Sequence, residues 1–264
     1  TELGAKLFGE GLLVANDISA SRVKALLKNI EVMGIPNSFL LNEVPAKIAE
    51  QFPAYFDKIL VDAPCSGEGM FRKNEAACEE WNPENVRLCA ERQDGILDCA
   101  ASMLAPGGRI VYSTCTFAPA ENEGSMMRFL LRHLEFRIVE VKKADGMSAG
   151  VPEWAYFGEK MGQVLPEIAQ TIRLWPQHLN GEGHYLAVLE KEGTLRQGYC
   201  RNGEEKGIPA KDLKVPGKGI VEFQICERYI RSTDISRTGE KWYISEIWRS
   251  ALPCTERYAF CKRS

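Results

Sequence analysis

The feature that most constrains the fold of this chain is a regular alternation of strand-like and helix-like segments. Short apolar runs at 11–17, 38–41, 57–62 and 109–114 are typical of buried strands, and apolar residues recur at helical spacing between them. Strands that alternate with helices predict a mostly parallel sheet with helices on both faces. The expected fold class is therefore α/β, with a doubly wound sheet.

The predicted strands end in polar residues, which places candidate site residues on one rim of the sheet. Asp17 follows the first strand, Asp62 ends the third, and Thr114-Cys115 ends the fourth. In such sheets, ligands bind at the carboxyl ends of the strands, near the point where the strand order reverses. We therefore expect a ligand site on this rim.

Two of the strand-end loops carry a cysteine. The loop Asp62-Ala63-Pro64-Cys65-Ser66-Gly67-Glu68-Gly69 holds Cys65 after a proline, and its glycines let the backbone approach a ligand closely. Cys115 lies between a strand and a helix, where nearby amide groups favour the thiolate, the nucleophilic form. Either cysteine alone is typical of a small packed residue. The two together, on one rim, predict a shared pocket.

A pair of thiols without a metal suits covalent attack on a pyrimidine ring. Thiolate addition at carbon 6 of cytosine makes carbon 5 nucleophilic enough to take a methyl group from a sulfonium donor. Loss of the carbon 5 proton and of the thiolate then releases the product, so easier steps replace one difficult step. An acid such as Asp62 would support charge at the ring nitrogen. The spacing leaves open which cysteine attacks.

The two loops resemble those of the Sun-domain (Nol1/Nop2/Sun, Fmu-type) RNA cytosine-5 methyltransferases, and within them the bacterial ribosomal RNA branch. The resemblance covers about residues 1–190. It implies a Rossmann-like methyltransferase fold, S-adenosylmethionine as cofactor and RNA, above all ribosomal RNA, as partner. The stretches that carry it are Asp62-Ala63-Pro64-Cys65-Ser66-Gly67, Ser113-Thr114-Cys115-Thr116, Glu121-Asn122-Glu123, Val14-Ala15-Asn16-Asp17, Phe71-Arg72-Lys73, Arg173-Leu174-Trp175-Pro176 and Gly181-Glu182-Gly183-His184.

This resemblance also implies roles for residues around the cysteine pair. Cys115 would be the nucleophile that adds to cytosine, and Cys65 would assist release of the methylated product. Asp62 would lie between the cofactor and the target base. Arg72 and Lys73, near the same rim, are candidate contacts to the RNA backbone.

Two further acids are candidate cofactor contacts. By the resemblance, Asp17 would bind the ribose hydroxyls of S-adenosylmethionine. Helix capping near Ser19 is an alternative interpretation of Asp17. Asn42-Glu43 occupies the place of the family's acid after the next strand, so Glu43 is expected near the adenine.

The composition limits the classes of protein that this chain can belong to. Nine cysteines, with no Cys-x-x-Cys pair, indicate reduced thiols in a cytoplasmic protein rather than a disulfide framework or a zinc site. Apolar runs are too short to span a membrane. The net charge of −3 requires any RNA-binding face to be a local patch. Oligomeric state is left open.

The sequence predicts two domains. Residues 1–192 would form the methyltransferase domain without its first strand and glycine-rich cofactor loop, because Thr1 falls just after the place of that loop. Residues 193–264 would form a small, truncated, β-rich domain of RNA-binding type, with strands near 220–223 and 241–244.

Three other functions are compatible with part of this pattern. A transfer RNA cytosine-5 methyltransferase would use the same catalytic motifs, and substrate choice by flanking segments would separate the two. An RNA-binding fragment without catalysis is consistent with the missing cofactor loop. A nicotinamide dehydrogenase would explain an acid after the second strand, but it leaves the paired cysteine loops unexplained, and the chain has no Gly-x-Gly-x-x-Gly.

Overall fold

The computed structural model of the chain describes residues 2–7, 11–156 and 164–194. Within these ranges the chain forms two compact units that divide between Val44 and Pro45. The predicted strands near 220–223 and 241–244, and all but the start of the predicted second domain, lie outside the described residues. No helix in the described part is both long enough and apolar enough to cross a membrane.

The first unit contains a pair of parallel strands and two helices. Strand β1 (Leu13–Asn16) pairs residue for residue with β2 (Ser38–Leu41). Helix α1 (Glu2–Lys6) precedes them and α2 (Ala20–Val32) connects them. Helix α2 ends just before Gly34, which takes a left-handed φ of 60°. The two strands and the helix predicted for this segment are confirmed.

In its described residues, the second unit is built on a six-stranded mixed sheet. The strands are β3 (Phe56–Asp62), β4 (Leu104–Thr114), β5 (Phe136–Ile138), β6 (Met147–Ala149), β7 (Ile172–Leu174) and β8 (His184–Lys191). The strand order is β3-β4-β8-β7-β6. Strand β5 pairs with the C-terminal half of β8, and β7 pairs with its N-terminal half. Strands β3 and β4 are parallel, whereas β8 is antiparallel to β4, β5 and β7. The expected parallel pairing is therefore found within the β1–β2 pair and within the β3–β4 pair, whereas the other strand pairs of the described sheets are antiparallel.

Four α-helices and three short 3-10 helices complete this unit. They are α3 (Pro45–Gln51), α4 (Glu75–Glu80), α5 (Pro83–Met103), α6 (Glu123–Arg132) and the 3-10 helices Glu68–Met70, Pro152–Tyr156 and Pro166–Gln170.

In the sequence, Asn82-Pro83-Glu84 predicts the start of a helix and Pro106-Gly107-Gly108 predicts its end. Helix α5 begins at the predicted place and ends earlier. Asn82 caps it by accepting the N–H of Asn85 at 2.8 Å, and Pro83 occupies the first helical position. The prediction that Pro106-Gly107-Gly108 terminates the helix is wrong, because these residues lie within β4. The strand starts at Leu104, which is 0% exposed and pairs with β3, so sheet pairing takes over directly after the helix.

The apolar core lies between the sheet and the helices α5 and α6. Leu97, Leu104, Ile110, Phe129 and Leu189 are all 0% exposed and belong to one continuous cluster. This packing fixes β3 and β4 against the helices. The carboxyl ends of the two strands therefore leave the core from a rigid base.

Candidate active site

The two cysteines of the strand-end loops lie side by side. Asp62 pairs with Ser113 at the ends of β3 and β4, and the N–H of Ala63 still donates to the Ser113 carbonyl at 2.9 Å. The two segments then leave the sheet together, and Cys65 Sγ lies 3.2 Å from Cys115 Sγ. Both cysteines are half-buried. The structure thus brings the two cysteines that were predicted to share a pocket into direct contact.

The contact between the two sulfurs shifts the pKa values of Cys65 and Cys115 in opposite directions. The hydrogen bond from the Cys65 thiol holds the pKa of Cys115 below the usual cysteine value, against the opposing effects of burial and of the Asp62 charge. The pKa of Cys65 is raised far above its usual value, because its hydrogen bond to Cys115 retains the proton and burial disfavours its thiolate. Cys115 is therefore the cysteine of the pair that forms the thiolate more readily, and thiolate is the nucleophilic form.

The backbone that carries Cys115 is held at three consecutive carbonyl groups. The Cys115 carbonyl accepts the N–H of Gly69 at 2.8 Å. The next carbonyl accepts Asn122 Nδ2 at 2.9 Å, and the one after it accepts Arg173 Nη1 at 3.1 Å. These donors come from the Cys65 loop, the start of α6 and β7. Three separate elements therefore fix the path of the chain after β4.

Glu68 is a further attachment point that the sequence reasoning missed. Its Oε2 accepts the N–H of Phe117 at 3.0 Å and the Thr116 hydroxyl at 3.2 Å, while its Oε1 accepts Trp81 Nε1 at 2.9 Å. The one signal in the sequence is an acid placed directly after Gly67 in a loop of otherwise small residues. Glu68 therefore links the Cys65 loop to the segment that follows Cys115.

Two buried polar side chains, Gln93 and Glu121, hold the loop that carries Cys65. Gln93 Nε2 donates to the Pro64 carbonyl at 2.8 Å, and Glu121 Oε2 accepts the N–H of Ser66 at 3.0 Å. Burial raises the pKa of Glu121, and the hydrogen bonds from Ser66 and Gln93 oppose this effect. The sequence reasoning missed Gln93, whose only signal is a polar residue on the buried stripe of α5.

Asp62 lies exposed at the rim beside the cysteines, with its Oδ1 3.4 Å from Ser113 Oγ. Among the described residues, no three His, Cys, Asp or Glu side chains are grouped so that they could hold a metal ion. The rim therefore offers a cysteine that favours the thiolate, a second cysteine whose sulfur lies 3.2 Å from it and an exposed carboxylate. Such a set suits addition to an electrophilic carbon and elimination from it.

The other two acids expected at the cofactor lie in the first unit, at the carboxyl ends of β1 and β2. Asp17 Oδ1 accepts the N–H of Ser19 at 2.8 Å and Arg22 Nε at 3.0 Å. Asp17 thus stabilises the turn that leads into α2, which is close to the capping role that the sequence left open. The N–H of Glu43 donates to Asn16 Oδ1 at 3.0 Å, which ties the end of β2 to the end of β1.

Arg72 and Lys73, the predicted RNA contacts, both contact the loop that precedes β8. Arg72 Nη2 donates to the Gly181 carbonyl at 2.9 Å, and Lys73 Nζ lies 2.9 Å from Glu182 Oε1. The hydrogen bond from Lys73 lowers the pKa of Glu182. Both basic residues remain exposed. Their local role is to hold this loop in place.

Comparison with known proteins finds one matching family and several relatives of similar sequence. The family described as "16S rRNA methyltransferase RsmB/F" matches residues 2–190. The "Ribosomal RNA small subunit methyltransferase F" of Shewanella denitrificans is 32% identical over 226 residues, which are 85% of this chain and 41% of that protein. The protein of the same name from Cronobacter sakazakii is 35% identical over 250 residues, 94% of this chain and 47% of that protein.

A solved structure supports the fold. The crystal structure of NSun6 from Pyrococcus horikoshii with SFG matches with a TM-score of 0.57 and 26% identity, over 73% of this chain and 44% of that one. The predicted α/β methyltransferase fold is thereby confirmed. The chain spans less than half the length of the two curated relatives. By its match over residues 2–190, the chain belongs to the 16S rRNA methyltransferase RsmB/F family.

Proposed function

We propose that the protein containing this chain is an RNA cytosine-5 methyltransferase that modifies ribosomal RNA with S-adenosylmethionine as the methyl donor. The observation that carries this function is the 3.2 Å contact between Cys65 Sγ and Cys115 Sγ, at the ends of two adjacent parallel strands. Membership of the family and the names of the curated relatives support the same activity and the same class of substrate.

Cys115 is the proposed nucleophile. Its thiolate forms a bond to carbon 6 of the target cytosine, and the electrons of the 5,6 double bond become available at carbon 5. S-adenosylmethionine, when bound, supplies the methyl group that carbon 5 takes up. The three hydrogen-bonded carbonyls that begin at Cys115 hold the attacking sulfur in a fixed place, which favours one approach to the ring.

Cys65 is the proposed base of the release step. In the adduct, Cys115 is a neutral thioether, so it no longer supplies the charge and the hydrogen-bond acceptor that raise the pKa of Cys65. Cys65 then loses its proton to solvent more readily. Its thiolate removes the proton from carbon 5, the 5,6 double bond re-forms, and the electron pair of the carbon–sulfur bond returns to Cys115 as thiolate.

The acids at the strand ends are the proposed cofactor contacts. Asp17 and Glu43 follow β1 and β2, and Asp62 ends β3. The Asp17 side chain fits this role, because it is 26% exposed and a carboxylate can accept further hydrogen bonds beside those it already makes. A ribose hydroxyl is a suitable donor to it. Glu43 is assigned to the adenine and Asp62 to the space between cofactor and base.

Ribosomal RNA is the proposed partner. The names of the curated relatives favour it over transfer RNA, which the same catalytic chemistry would also serve. Arg72 and Lys73 are proposed to contact phosphate groups with their exposed portions, in addition to holding the loop before β8. The protein is proposed to act in the cytoplasm.

The test uses cysteine variants expressed from the complete reading frame. We expect Cys115→Ala to incorporate no labelled methyl group into a 16S ribosomal RNA fragment and to form no covalent adduct. Cys65→Ala should retain the adduct, visible as a shifted band on a denaturing gel. Cys99→Ala, a half-buried cysteine in α5, is the matched control and should behave like the parent protein.

Two results would contradict the proposal. Methylation by Cys115→Ala at the rate of the parent would exclude Cys115 as the nucleophile. A parent protein that binds the RNA fragment and the methyl donor yet transfers nothing would identify an RNA-binding protein without catalysis.

A further inference from the structure

The two peptide groups on either side of Cys65 are both held by one pair of side chains. The carbonyl of Pro64 accepts Gln93 Nε2 at 2.8 Å, and the N–H of Ser66 donates to Glu121 Oε2 at 3.0 Å. Gln93 Nε2 also donates to that same Glu121 oxygen at 2.8 Å. The pair therefore closes around Cys65 as a clamp, in the sense that it grips the backbone immediately before and after this residue.

The Gln93–Glu121 clamp is itself fixed on its far side. Gln93 Oε1 lies 2.9 Å from the Tyr112 hydroxyl and 3.2 Å from Ser125 Oγ. The amide group of Gln93 can take only one orientation, because its nitrogen faces two acceptors and its oxygen faces two hydroxyls. The clamp is thereby tied to β4, the strand that carries Cys115, as well as to α6.

Burial of the polar groups of the clamp costs free energy, and packing alone would not require polar residues at these two positions. Gln93 and Glu121 are both 0% exposed, and a buried carboxyl group is unfavourable unless hydrogen bonds compensate it. Apolar side chains of similar volume would fill the same space without that penalty. The hydrogen bonds that compensate Glu121 come from the Cys65 loop and from Gln93. The polar pair therefore acts on the position of that loop.

The loop needs such restraint on the side that follows Cys65. Gly67 has a left-handed φ of 74°, and a Cβ placed on it would meet no atom within 4 Å. Glycine adopts many backbone conformations, so Gly67 itself restrains the loop little. On this side the loop is also held by Ser66 Oγ, 2.9 Å from Thr116 Oγ1, and by Glu68 and Gly69, so the clamp adds the restraint at Cys65 itself. A rotation of either peptide flanking Cys65 would swing its side chain away from Cys115.

We propose that Gln93 and Glu121 are positioning residues that hold the Cys65 thiol against Cys115 and so set the release step of the reaction. This inference rests on the proposed function for the release step, whereas the thiol contact itself exists without RNA. In the proposed reaction, the clamp contacts neither the cytosine nor the cofactor. It acts through the backbone on each side of Cys65.

The first experiment measures the two thiols directly, without substrate. Each cysteine is labelled with iodoacetamide across a pH series, and mass spectrometry follows Cys65 and Cys115 separately. In Gln93→Met, the loss of the hydrogen bond to the Pro64 carbonyl should release the loop and weaken the contact between the sulfurs. This variant keeps the Glu121 charge, which itself raises the pKa of Cys115. We expect alkylation of Cys115 near pH 7 to slow about tenfold, which is roughly what a one-unit rise in pKa produces. Alkylation of Cys65 should become faster.

The matched control is Ser125→Ala. Ser125 is 0% exposed and contacts the same amide group, but from the side of Gln93 Oε1, away from the Cys65 loop. The Ser125→Ala change removes a hydrogen bond from the same buried network, but it removes no contact to the peptide groups that flank Cys65. Its alkylation profile should match that of the parent. An equal shift in this control would show that any disturbance of the interior moves the thiols, and the clamp would lose its specific role.

The second experiment measures turnover on the ribosomal RNA fragment. Glu121→Gln should form the covalent adduct and accumulate it, as expected for Cys65→Ala, because methyl transfer precedes the impaired step. Gln93→Met, which keeps the side-chain volume and removes the contact to Pro64, should do the same. Loss of adduct formation and product together in a folded variant would instead indicate damage to the Cys115 side, and the proposal would be overturned.

The remaining outcomes are equally decisive. A folded Gln93→Met with an unchanged alkylation profile would overturn the clamp whatever the RNA assay shows. If neither Glu121→Gln nor Gln93→Met folds, as judged by near-ultraviolet circular dichroism, the pair maintains the fold and does not position a thiol. If the parent transfers no methyl group while the alkylation profiles shift as expected, the proposed function fails and the clamp stands.

Discussion

At the scale of single residues, an ion pair in the interior supports the segment that follows Cys115. Arg173 and Glu123 are paired at 1% and 0% side-chain exposure, and Arg173 Nη1 also donates to the Phe117 carbonyl at 3.1 Å. The Arg173 guanidinium lies 4.9 Å from the centre of the Trp154 ring. A buried charge is tolerated only when its partners are complete. Arg173 therefore couples β7, α6 and the segment after Cys115.

Removal of the Arg173 charge should be costly. Arg173→Met keeps most of the volume but leaves Glu123 buried without its counter-charge. We expect the free energy of unfolding in urea to fall by about 3–5 kcal/mol. The control is Arg87→Met, because Arg87 pairs with Glu84 and Glu91 on the exposed face of α5. That change should leave the unfolding midpoint nearly where it is, and equal losses in the two variants would contradict the prediction.

The residues of the site were only partly accessible to sequence reasoning. The meeting of Cys65 and Cys115 follows from loops at the ends of neighbouring strands, which local patterns reveal. The partners of Arg72 and Lys73 do not, because Gly181 and Glu182 are distant in the chain and nothing in the local pattern pairs them. A site built from long-range hydrogen bonds requires the fold before its members can be recognised.

At the scale of elements, close backbone contact joins the Cys65 loop to the loop before β8. A Cβ placed on Gly69 would lie 2.3 Å from the Gly183 carbonyl oxygen and 2.9 Å from that of Cys115. A Cβ on Gly183 would lie 2.0 Å from the Phe117 ring, which in turn stacks on Trp175 with 5.1 Å between ring centres. The glycines are thus required by proximity rather than by backbone conformation.

Gly183→Ala should test this packing. The added methyl group has no room against Phe117, so the loop or the ring must move, and overpacking of this kind costs about 1–3 kcal/mol. Gly181→Ala is the control within the same loop, since a Cβ there meets no atom within 4 Å. Urea unfolding of both variants provides the comparison. A loss in Gly181→Ala as large as that in Gly183→Ala would show that the close contact is not the cause.

Element boundaries show what local sequence signals can and cannot determine. The start of α5 was predictable because Asn82 and Pro83 act locally, on the first turn of the helix. Its end was not, because Pro106-Gly107-Gly108 is a strong local signal for termination. Pairing of Leu104 with Phe56, far away in sequence, ends the helix earlier. Tertiary pairing overrode the local preference.

At the scale of the whole molecule, the described part of the chain concentrates its buried polar residues around one place. Most of them lie on the Cys65 loop, at the end of β4, or at the start of α6, and Gln93 of α5 contacts the same group. The purely apolar cluster occupies the rest of the interior. The stability of the unit is therefore linked to the protonation of the site. The buried polar and charged residues are Ser66, Gln93, Thr114, Thr116, Glu121, Asn122, Glu123, Ser125, Thr171 and Arg173.

This linkage predicts how stability depends on pH. The pKa of Glu121 is raised by burial above its ordinary value of 4.5, so the native state binds more protons than the unfolded state in the interval above that value. The contribution of Glu121 to the free energy of unfolding should therefore fall as the pH rises through this interval. Glu121→Gln should remove that slope, which urea unfolding between about pH 4.5 and 7 would detect.

Glu182→Gln supplies a control of opposite sign. The hydrogen bond from Lys73 lowers the pKa of Glu182, so its contribution is present above the ordinary carboxyl pKa and is lost as the pH falls through the lowered value. The difference between parent and variant should then diminish towards acid pH. Difference curves of the same slope for Glu121→Gln and Glu182→Gln would contradict the assignment.

The position of β8 late in the sequence determines when, during synthesis, the sheet around β4 can be completed. Strand β4 leads directly into Cys115, and its second neighbour, β8, is synthesised much later, with Thr114 pairing to Tyr185. Until that segment emerges from the ribosome, β4 presents an open edge with apolar residues such as Ile110 and Val111. Pairings between distant segments form slowly, and exposed strand edges favour association between chains. A nascent chain that stops short of His184 is therefore the form most exposed to aggregation. The strand that leads into the cysteine pair is among the last to be enclosed.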